Sequence, residues 1–429
     1  MKNKENYTRK NKIISIYLMR IMAFLIPTFI TLFVIGTHSD YLIKKPIKIV
    51  LLVFIVICFL ILGYAIFTYF KCKDSGWIKK NKKLMWFLRI ILSLYILGCS
   101  TFLFLLYGPF VGFKDWLIST AMQTMHHQYY CKIFYSEDEI AETMANNYII
   151  ESGEDTNPEL IDGKTSSLDN EYEKAILNKD YSDQVYKIIK FKVNGQDAYL
   201  AAVYYPERVS VGYTKWLDKW GQYVTQMAED REALLAINGG GFKDINYNSN
   251  GQTPIGTTIS NGKIITSYDY GSSNGGIIGL TENNVLVLLK NKTTAQAKEM
   301  GVRDAVTMGP FLVVNGQASF TKGNGGWGYA ARTAIGQRKD GIILLLVVDS
   351  NETRSKGASM KDLADIMLQY GAVNAANLDG GTSSVMVLPK KEALKYNNNC
   401  TDKYCNINDP IDSALRHKTR PIATSWIVK

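Results

Sequence analysis

Residues 332–350 read RTAIGQRKDGIILLLVVDS, residues 359–381 read SMKDLADIMLQYGAVNAANLDGG, and these two stretches decide the fold. The apolar run between Gly341 and Asp349 has the length and β-branched content of a strand buried on both faces. Ser359 opens an amphipathic helix as its N-cap, and AVNAAN returns as a second strand that stops at Asp379, Gly380 and Gly381. Two strands joined through a helix run parallel if they share a sheet. Upstream, RTAIGQ reads as a strand that QRKDG turns back into the apolar run, so Arg332 starts its strand beside the end of its partner, near Asp349.

Ligand sites in open α/β sheets lie just beyond the carboxyl ends of the strands, so Asp349 and Asp379 are expected to converge. Asn238 closes another short strand and is followed by Gly239, Gly240 and Gly241, where backbone N–H groups can approach a ligand closely. Gly380 and Gly381 offer a similar nest, with the hydroxyls of Thr382 and Ser383 beside it. Any one of these alone reads equally well as a turn residue; three polar strand ends together point to a site. Arg332 there suits either a phosphate held bidentately or a structural pair with Asp349. Residues 323–328 fit GxGxxG, but no helix is expected after them, so they read as a loop. The chain has no GxSxG elbow and no P-loop.

Toward the N-terminus three apolar runs, residues 13–37, 47–70 and 84–113, are long enough to cross a bilayer. Arg20 lies inside the first, within snorkelling reach of the side that carries Arg9, Lys10 and Lys12. Residues 1–113 hold sixteen Lys and Arg against Glu5, Asp40 and Asp74, so the formal net charge of +10 belongs to this part and the remainder is slightly acidic. That distribution speaks against nucleic acid, which requires a basic face on the folded domain. It sets orientation instead: the basic residues precede the first span and fill the loop from Lys71 to Lys83, which puts the N-terminus in the cytoplasm and everything after the third span outside.

Residues 114–147 read as a helical collar in which His126 and His127 are surface or packing residues, and the acidic, Gly- and Pro-punctuated stretch 151–170 reads as a linker. The expected organisation is an anchor over 1–113, collar and linker over 114–184, and one α+β or α/β globular domain with mixed sheets over 185–429. Within that domain Trp216, Leu217, Trp220, Val224 and Met227 fall on one face of a helical run. Of six cysteines, Cys58, Cys72 and Cys99 lie in or beside the spans; Cys400 and Cys405 are spaced for a small disulfide ring, which leaves Cys131 unpaired. The histidines, His38, His126, His127 and His417, lack zinc-site spacing, and no EF-hand string supports a Ca²⁺ site, so neither metal nor cofactor is expected.

Five motifs in order, AINGGGF (236–242), TMGPFLVVNG (307–316), ARTAIGQRKDGIILLLVVDS (331–350), NLDGGTSS (377–384) and RPIATSWIV (420–428), resemble the phosphodiester glycosidase family. Gly241 departs from the aromatic residue the family often shows there. The resemblance implies a domain of that family's fold and hydrolysis of a sugar-1-phosphodiester at the anomeric carbon. It implies Asp379 or Asp349 as nucleophile or base and Arg332 against the leaving phosphate. Asn238, Gly239, Gly240, Thr307, Gly309, Gly380, Gly381, Thr382 and Ser383 would orient sugar and phosphate. The expected partners are a phosphodiester-linked surface glycan and the lipid bilayer. A fold of this kind also suits a non-catalytic glycan-binding or assembly module for exopolysaccharide, or a ligand-binding sensor.

Overall fold

The computed structural model describes residues 2–71, 82–122, 128–164, 170–243, 250–272, 274–350, 357–410 and 419–429. His126, His127, His417 and most of the basic loop after Lys71 lie outside these. The chain divides into two compact units, Met1–Ala145 and Asn146–Lys429.

The first unit opens with three apolar helices: α1 (Lys2–His38), α2 (Lys45–Lys71) and α3 (Lys82–Tyr107). Each is long and apolar enough to cross a membrane, and side chains such as Leu60 and Phe70, 69% and 80% exposed, have only lipid to bury them. These helices anchor the chain in a bilayer. Met22, Ile26 and Cys58 pack α1 on α2. The hydroxyl of Thr28 bonds the carbonyl of Phe24 at 2.7 Å and lies 2.5 Å from the Tyr95 hydroxyl of α3, so no polar side-chain group is left to the lipid there. The third span ends six residues before its expected limit, because Pro109 keeps the residue before it out of helical geometry; α4 (Val111–Met122) is a separate helix. With α5 (Gln128–Phe134) and α6 (Glu137–Ala145) it closes a small core around Ile118, Cys131 and Tyr135.

The stretch read as a linker is instead part of the second unit. Strand Tyr148–Ile150 pairs with Phe320–Lys322. The buried Glu151 carboxylate then accepts the N–H groups of Gly275 at 2.5 Å and Phe311 at 2.7 Å and the Lys290 ammonium at 2.7 Å. The Thr156 hydroxyl bridges both backbone groups of Leu288. Helix α7 (Glu171–Leu177) supplies Glu173, which grips the buried Arg338 guanidinium with both oxygens at 2.7 and 2.9 Å. The acidity that marks solvated chain in sequence serves here to satisfy buried donors, so the globular unit begins near 146 rather than 185.

The core of that unit is a seven-stranded sheet in the order Gln317–Ala318, Phe311–Val314, Ala372–Asn377, Arg332–Arg338, Ile343–Val348, Gln196–Val203, Tyr186–Val193. Every neighbouring pair is antiparallel. Ile343–Val348 and Ala372–Asn377 therefore run the same way, as their helical connection requires, with Arg332–Arg338 inserted between them. Ser359 caps the connecting helix through a capping box with Asp362. The helix lays Met360, Leu363 and Met367 on one face of the sheet, against Ala334, Leu344 and Leu346. The other face, with Ile335, Leu345 and Val347, meets Leu235, Ile237 and Trp426 of a five-stranded sheet in the order Tyr404–Asn406, Met386–Pro389, Leu235–Asn238, Thr424–Val428, Val209–Tyr213. A third sheet orders Leu286–Leu289, Gly276–Thr281, Val302–Met308, Thr257–Ser260 and Lys263–Ser267. The chain is thus three apolar helices followed by a globular domain built of both sheets and helices.

The run from Trp216 to Met227 differs from its expected single helix. Only Val224–Glu229 is helical, because Asp218 sits at φ 62° and Gly221 is wedged against the backbones of Asn250, Gly251 and Ile422, where a Cβ would come within 2.9 Å of each. Val224 and Met227 are buried, whereas Trp216 and Trp220 stay 41% and 53% exposed. Cys400 and Cys405 form a disulfide, with Cα atoms 5.7 Å apart, and Cys131 is free and buried.

Candidate active site

Three strand ends define the site. Ala334 pairs with Asn377 and Arg332 with Val348, so Asp349 and Asp379 leave the same end of the seven-stranded sheet with one strand between them. Two strand spacings put their backbones about 10 Å apart. Asn238 comes from the facing sheet and reaches this end by its side chain. Its amide donates to the Asp379 carbonyl at 2.6 Å, and its oxygen accepts from the Thr333 hydroxyl at 2.7 Å and the Val385 N–H at 3.1 Å. Fully buried and with these bonds made, Asn238 locks the Asp379 turn to both sheets.

Asp379 is the centre of the arrangement. One carboxylate oxygen accepts the Gly380 N–H at 3.0 Å; the other is buried with no hydrogen-bond partner, its nearest cation being Arg420 at 3.6 Å. Burial raises the acid above the usual carboxylate range, against the pull of Arg420 and the bonds from Ser383 and Gly380. Arg420 is itself aimed: its Nε donates to the Ser383 hydroxyl at 2.8 Å and its guanidinium lies 4.8 Å above the Phe242 ring. Arg332, 6% exposed and within electrostatic reach of Asp379, gives Nε to the Ala358 carbonyl and Nη2 to the carbonyls of Trp327 and Gly328. Its Nη1 lies over Gly380. Burial pushes this guanidinium down to about 10, so it stays charged at neutral pH. The structural pair with Asp349 is not formed.

Asp349 is held separately. It accepts from the Asn408 amide at 2.8 Å and the Asp409 N–H at 3.1 Å, and Asn408 also donates to the Ser384 carbonyl, tying Asp349 to the loop that carries Asp379. Burial, helped by the negative charges of Asp409 and Asp197, pushes Asp349 up to about 6.

Several expected ligand contacts turn out to be internal. The N–H groups of Gly239, Gly240 and Gly241 donate to the Thr424 carbonyl, the Thr424 hydroxyl and the Thr307 carbonyl, at 2.9, 3.0 and 3.1 Å. These glycines are needed for close approach: a Cβ on Gly240 would lie 2.6 Å from the Thr307 oxygen and one on Gly239 2.6 Å from the Thr424 hydroxyl. Gly240→Ala is expected to cost about 2 kcal/mol or more through forced backbone shifts, read as a lowered Tm. The Thr307 hydroxyl is bonded to both backbone groups of Thr257, so Thr307 shapes the loop. The Gly309 carbonyl accepts the Asn377 amide at 2.8 Å. In the 380–384 turn the N–H groups of Gly380, Gly381, Ser383 and Ser384 all donate within the protein, which removes the anion nest; Gly381 is required for its φ of 62°. Thr382 and Ser383 are buried in this turn.

Sequence reasoning passed over Arg420, although it opens the last motif, and over Asn377 and Ser384. The Asn377 Oδ1 and Ser384 Oγ are buried without hydrogen-bond partners, and a buried polar atom in that condition calls for water or a ligand. Asn408 sits in a polar loop with no pattern to mark it. A cavity of about 380 Å³, lined by Tyr172, Phe191, Lys192, Asp362, Gln369 and Tyr370 among others, holds none of the candidate residues. Among the described residues no group of three or more His, Cys, Asp or Glu is placed to share a metal ion.

A family model described as phosphodiester glycosidase matches residues 231–429. The chain is 27% identical over 261 residues to an uncharacterized SPbeta prophage-derived protein, YomE, of Bacillus subtilis, covering 53% of this chain and 38% of that one. It is 38% identical over 73 residues to the Bos taurus N-acetylglucosamine-1-phosphodiester alpha-N-acetylglucosaminidase and 37% identical over 73 residues to that of Homo sapiens, covering 17% of this chain and 14% of each enzyme. The chain therefore spans well under half the length of these relatives. Among solved structures, the zebrafish enzyme's catalytic domain, auto-inhibited by its pro-peptide, aligns with a TM-score of 0.42 at 22% identity, over 58% of this chain and 85% of that one.

Proposed function

We propose, from the match of residues 231–429 to the phosphodiester glycosidase family model, that the chain is a membrane-anchored glycosidase that hydrolyses a sugar-1-phosphodiester in a cell-surface glycopolymer. One observation carries the phosphate part of this reading. Two guanidiniums, Arg420 at 3.6 Å and Arg332 within electrostatic reach, act on a single buried carboxylate, and Arg332 is bonded only to carbonyls. Asp379 is one negative charge shared by two guanidiniums; a buried cation left unbalanced is costly, and an anionic substrate group would supply the second negative charge. The names of the mammalian relatives favour an N-acetylhexosamine as the sugar.

In the mechanism, Arg332 and Arg420 hold the phosphate and take up charge as the bond from the anomeric carbon to its oxygen breaks. A phosphate monoester leaves with its second ionisation near ~6, so it needs less protonation than an ordinary alcohol. The Asp379 oxygen without a partner faces the developing oxocarbenium ion as nucleophile or as base for water. Asp349 is the second carboxylate, and Ser383 and Asn377 position hydroxyls. No cofactor is required by this chemistry. The basic loops of the anchor and the Cys400–Cys405 disulfide, a bond suited to oxidising compartments, support an N-terminus in the cytoplasm and the domain outside the cell membrane.

The test is incubation of the detergent-solubilised chain with a synthetic N-acetylglucosamine-1-phosphodiester and detection of free sugar together with phosphate monoester. Binding without turnover would leave the non-catalytic module instead. A carboxylate that attacks or acts as base works only when ionised. Because burial raises Asp349 to about 6 and also raises Asp379, kcat/KM is expected to climb with pH through about 6 and to be lost below it. Asp409→Asn removes one of the charges that raise Asp349 and should move that limb to lower pH; a profile that is flat from pH 5 to 7 speaks against Asp349 acting ionised.

A further inference from the structure

We infer that Trp216, Trp220 and Tyr268 form a stacking platform for a glycan chain that runs on from the candidate site, so that the substrate is a polymer and not a free sugar phosphodiester; this deepens the function proposed above and rests on it. Trp220 N–H bonds the Trp216 carbonyl across a single turn at 2.9 Å, which keeps the two residues in one compact turn. Trp216 and Trp220 are 41% and 53% exposed at positions whose spacing belongs to a core-facing helix, with the Lys215 ammonium 4.9 Å from the Trp216 ring. Tyr268 joins them through Asp218: its hydroxyl lies 3.5 Å from one Asp218 oxygen, and the Thr253 hydroxyl donates to the other at 2.8 Å.

The platform is continuous with the site. Lys243, whose ammonium lies 4.7 Å from the Tyr268 ring, is in register with Thr253 and follows Phe242, the residue beneath Arg420. Gly221, next to Trp220, is clamped against Ile422, two residues beyond Arg420. Exposed aromatic faces bordered by Asp, Lys and Gln side chains suit the apolar faces and hydroxyls of sugar rings. Trp216 and Trp220 precede the residues that match the family model, and Tyr268 lies within them.

The experiment compares two substrates for the full chain in detergent: a methyl sugar-1-phosphodiester and a polymer of the same sugar joined through 1-phosphodiester links. In the Trp216→Ala/Trp220→Ala double variant, KM for the polymer should rise on the order of tenfold or more, while kcat/KM for the methyl ester stays within about twofold. Trp216→Phe/Trp220→Phe, which keeps aromatic faces, should restore most of the loss. Titration of the parent chain with the polymer, followed by tryptophan fluorescence, reads binding apart from turnover. Unchanged polymer KM, an equal loss on both substrates that phenylalanine does not rescue, or no fluorescence response overturns the platform. A fluorescence response and polymer binding lost in the alanine variant, in a chain that turns over neither substrate, would keep the platform and reject the hydrolase. If vesicles of anionic lipid, rather than polymer, lose affinity for the alanine variant, the rings are a membrane contact and the inference fails.

Discussion

Asp379→Asn lowers kcat on a sugar-1-phosphodiester by about a thousandfold or more and leaves the fold intact. The size follows from removing the one carboxylate that stands against the anomeric carbon; positioned proton transfer and charge stabilisation are each worth about 10²–10⁴. The intact fold follows from the contacts. An asparagine oxygen keeps the Gly380 N–H bond, and the Asn238 amide reaches the backbone of residue 379 and not its side chain. The wild-type acid is raised by burial, so its ionised form is disfavoured in the folded chain and its removal relieves that cost. At pH 7 the variant should melt at the same temperature as the parent or higher. Lost activity with kept stability marks a group held for chemistry. Turnover within tenfold of the parent would exclude Asp379 from the reaction, and a large fall in Tm would make it a structural residue.

Beginning the globular unit at residue 185 instead of 146 leaves it largely unfolded. Glu173 is then missing, and Arg338, 1% exposed, keeps only Asp340 as a charged partner. Breaking a buried pair from one side costs about 3–5 kcal/mol. Loss of Glu151 leaves the N–H groups of Gly275 and Phe311 without acceptors, at about 1–3 kcal/mol each. The sum rivals the whole stability of a typical domain, about 5–15 kcal/mol. Thermal unfolding of 146–429 and 185–429, followed by circular dichroism, should give a cooperative transition for the first and none for the second. Glu173→Ala in the longer fragment should already lower Tm by several degrees. Equal transitions for the two fragments would return residues 146–184 to the role of linker.

What is legible in the sequence is what periodicity and strand-end chemistry encode. The run Ile343–Val348, the Ser359 cap and the direction of Ala372–Asn377 follow from local rules, and with Arg332 at the head of its strand they place both aspartates at one sheet end. The apolar spans are equally plain, apart from the stop at Pro109. The failures share a cause. Glu151, Glu173, Trp216 and Trp220 have local context that points one way and tertiary context that points the other: acids that look solvated cap buried donors, and tryptophans that look like core remain outside. Gly239, Gly240 and Gly241 look like ligand loops because glycine permits both a ligand and a neighbouring strand to approach, and only the positions of Thr307 and Thr424 distinguish these. Arg420 lies 41 residues beyond Asp379, and nothing in the spacing joins the two.

Hydrolysis in ¹⁸O-labelled water tests most directly whether bond breaking occurs at the anomeric carbon. The label should appear in the hydroxyl of the released sugar and not in the phosphate monoester, because water replaces the phosphate at carbon. Label in the phosphate would show attack at phosphorus, make the protein a phosphodiesterase and contradict the proposed roles of Asp379, Arg332 and Arg420.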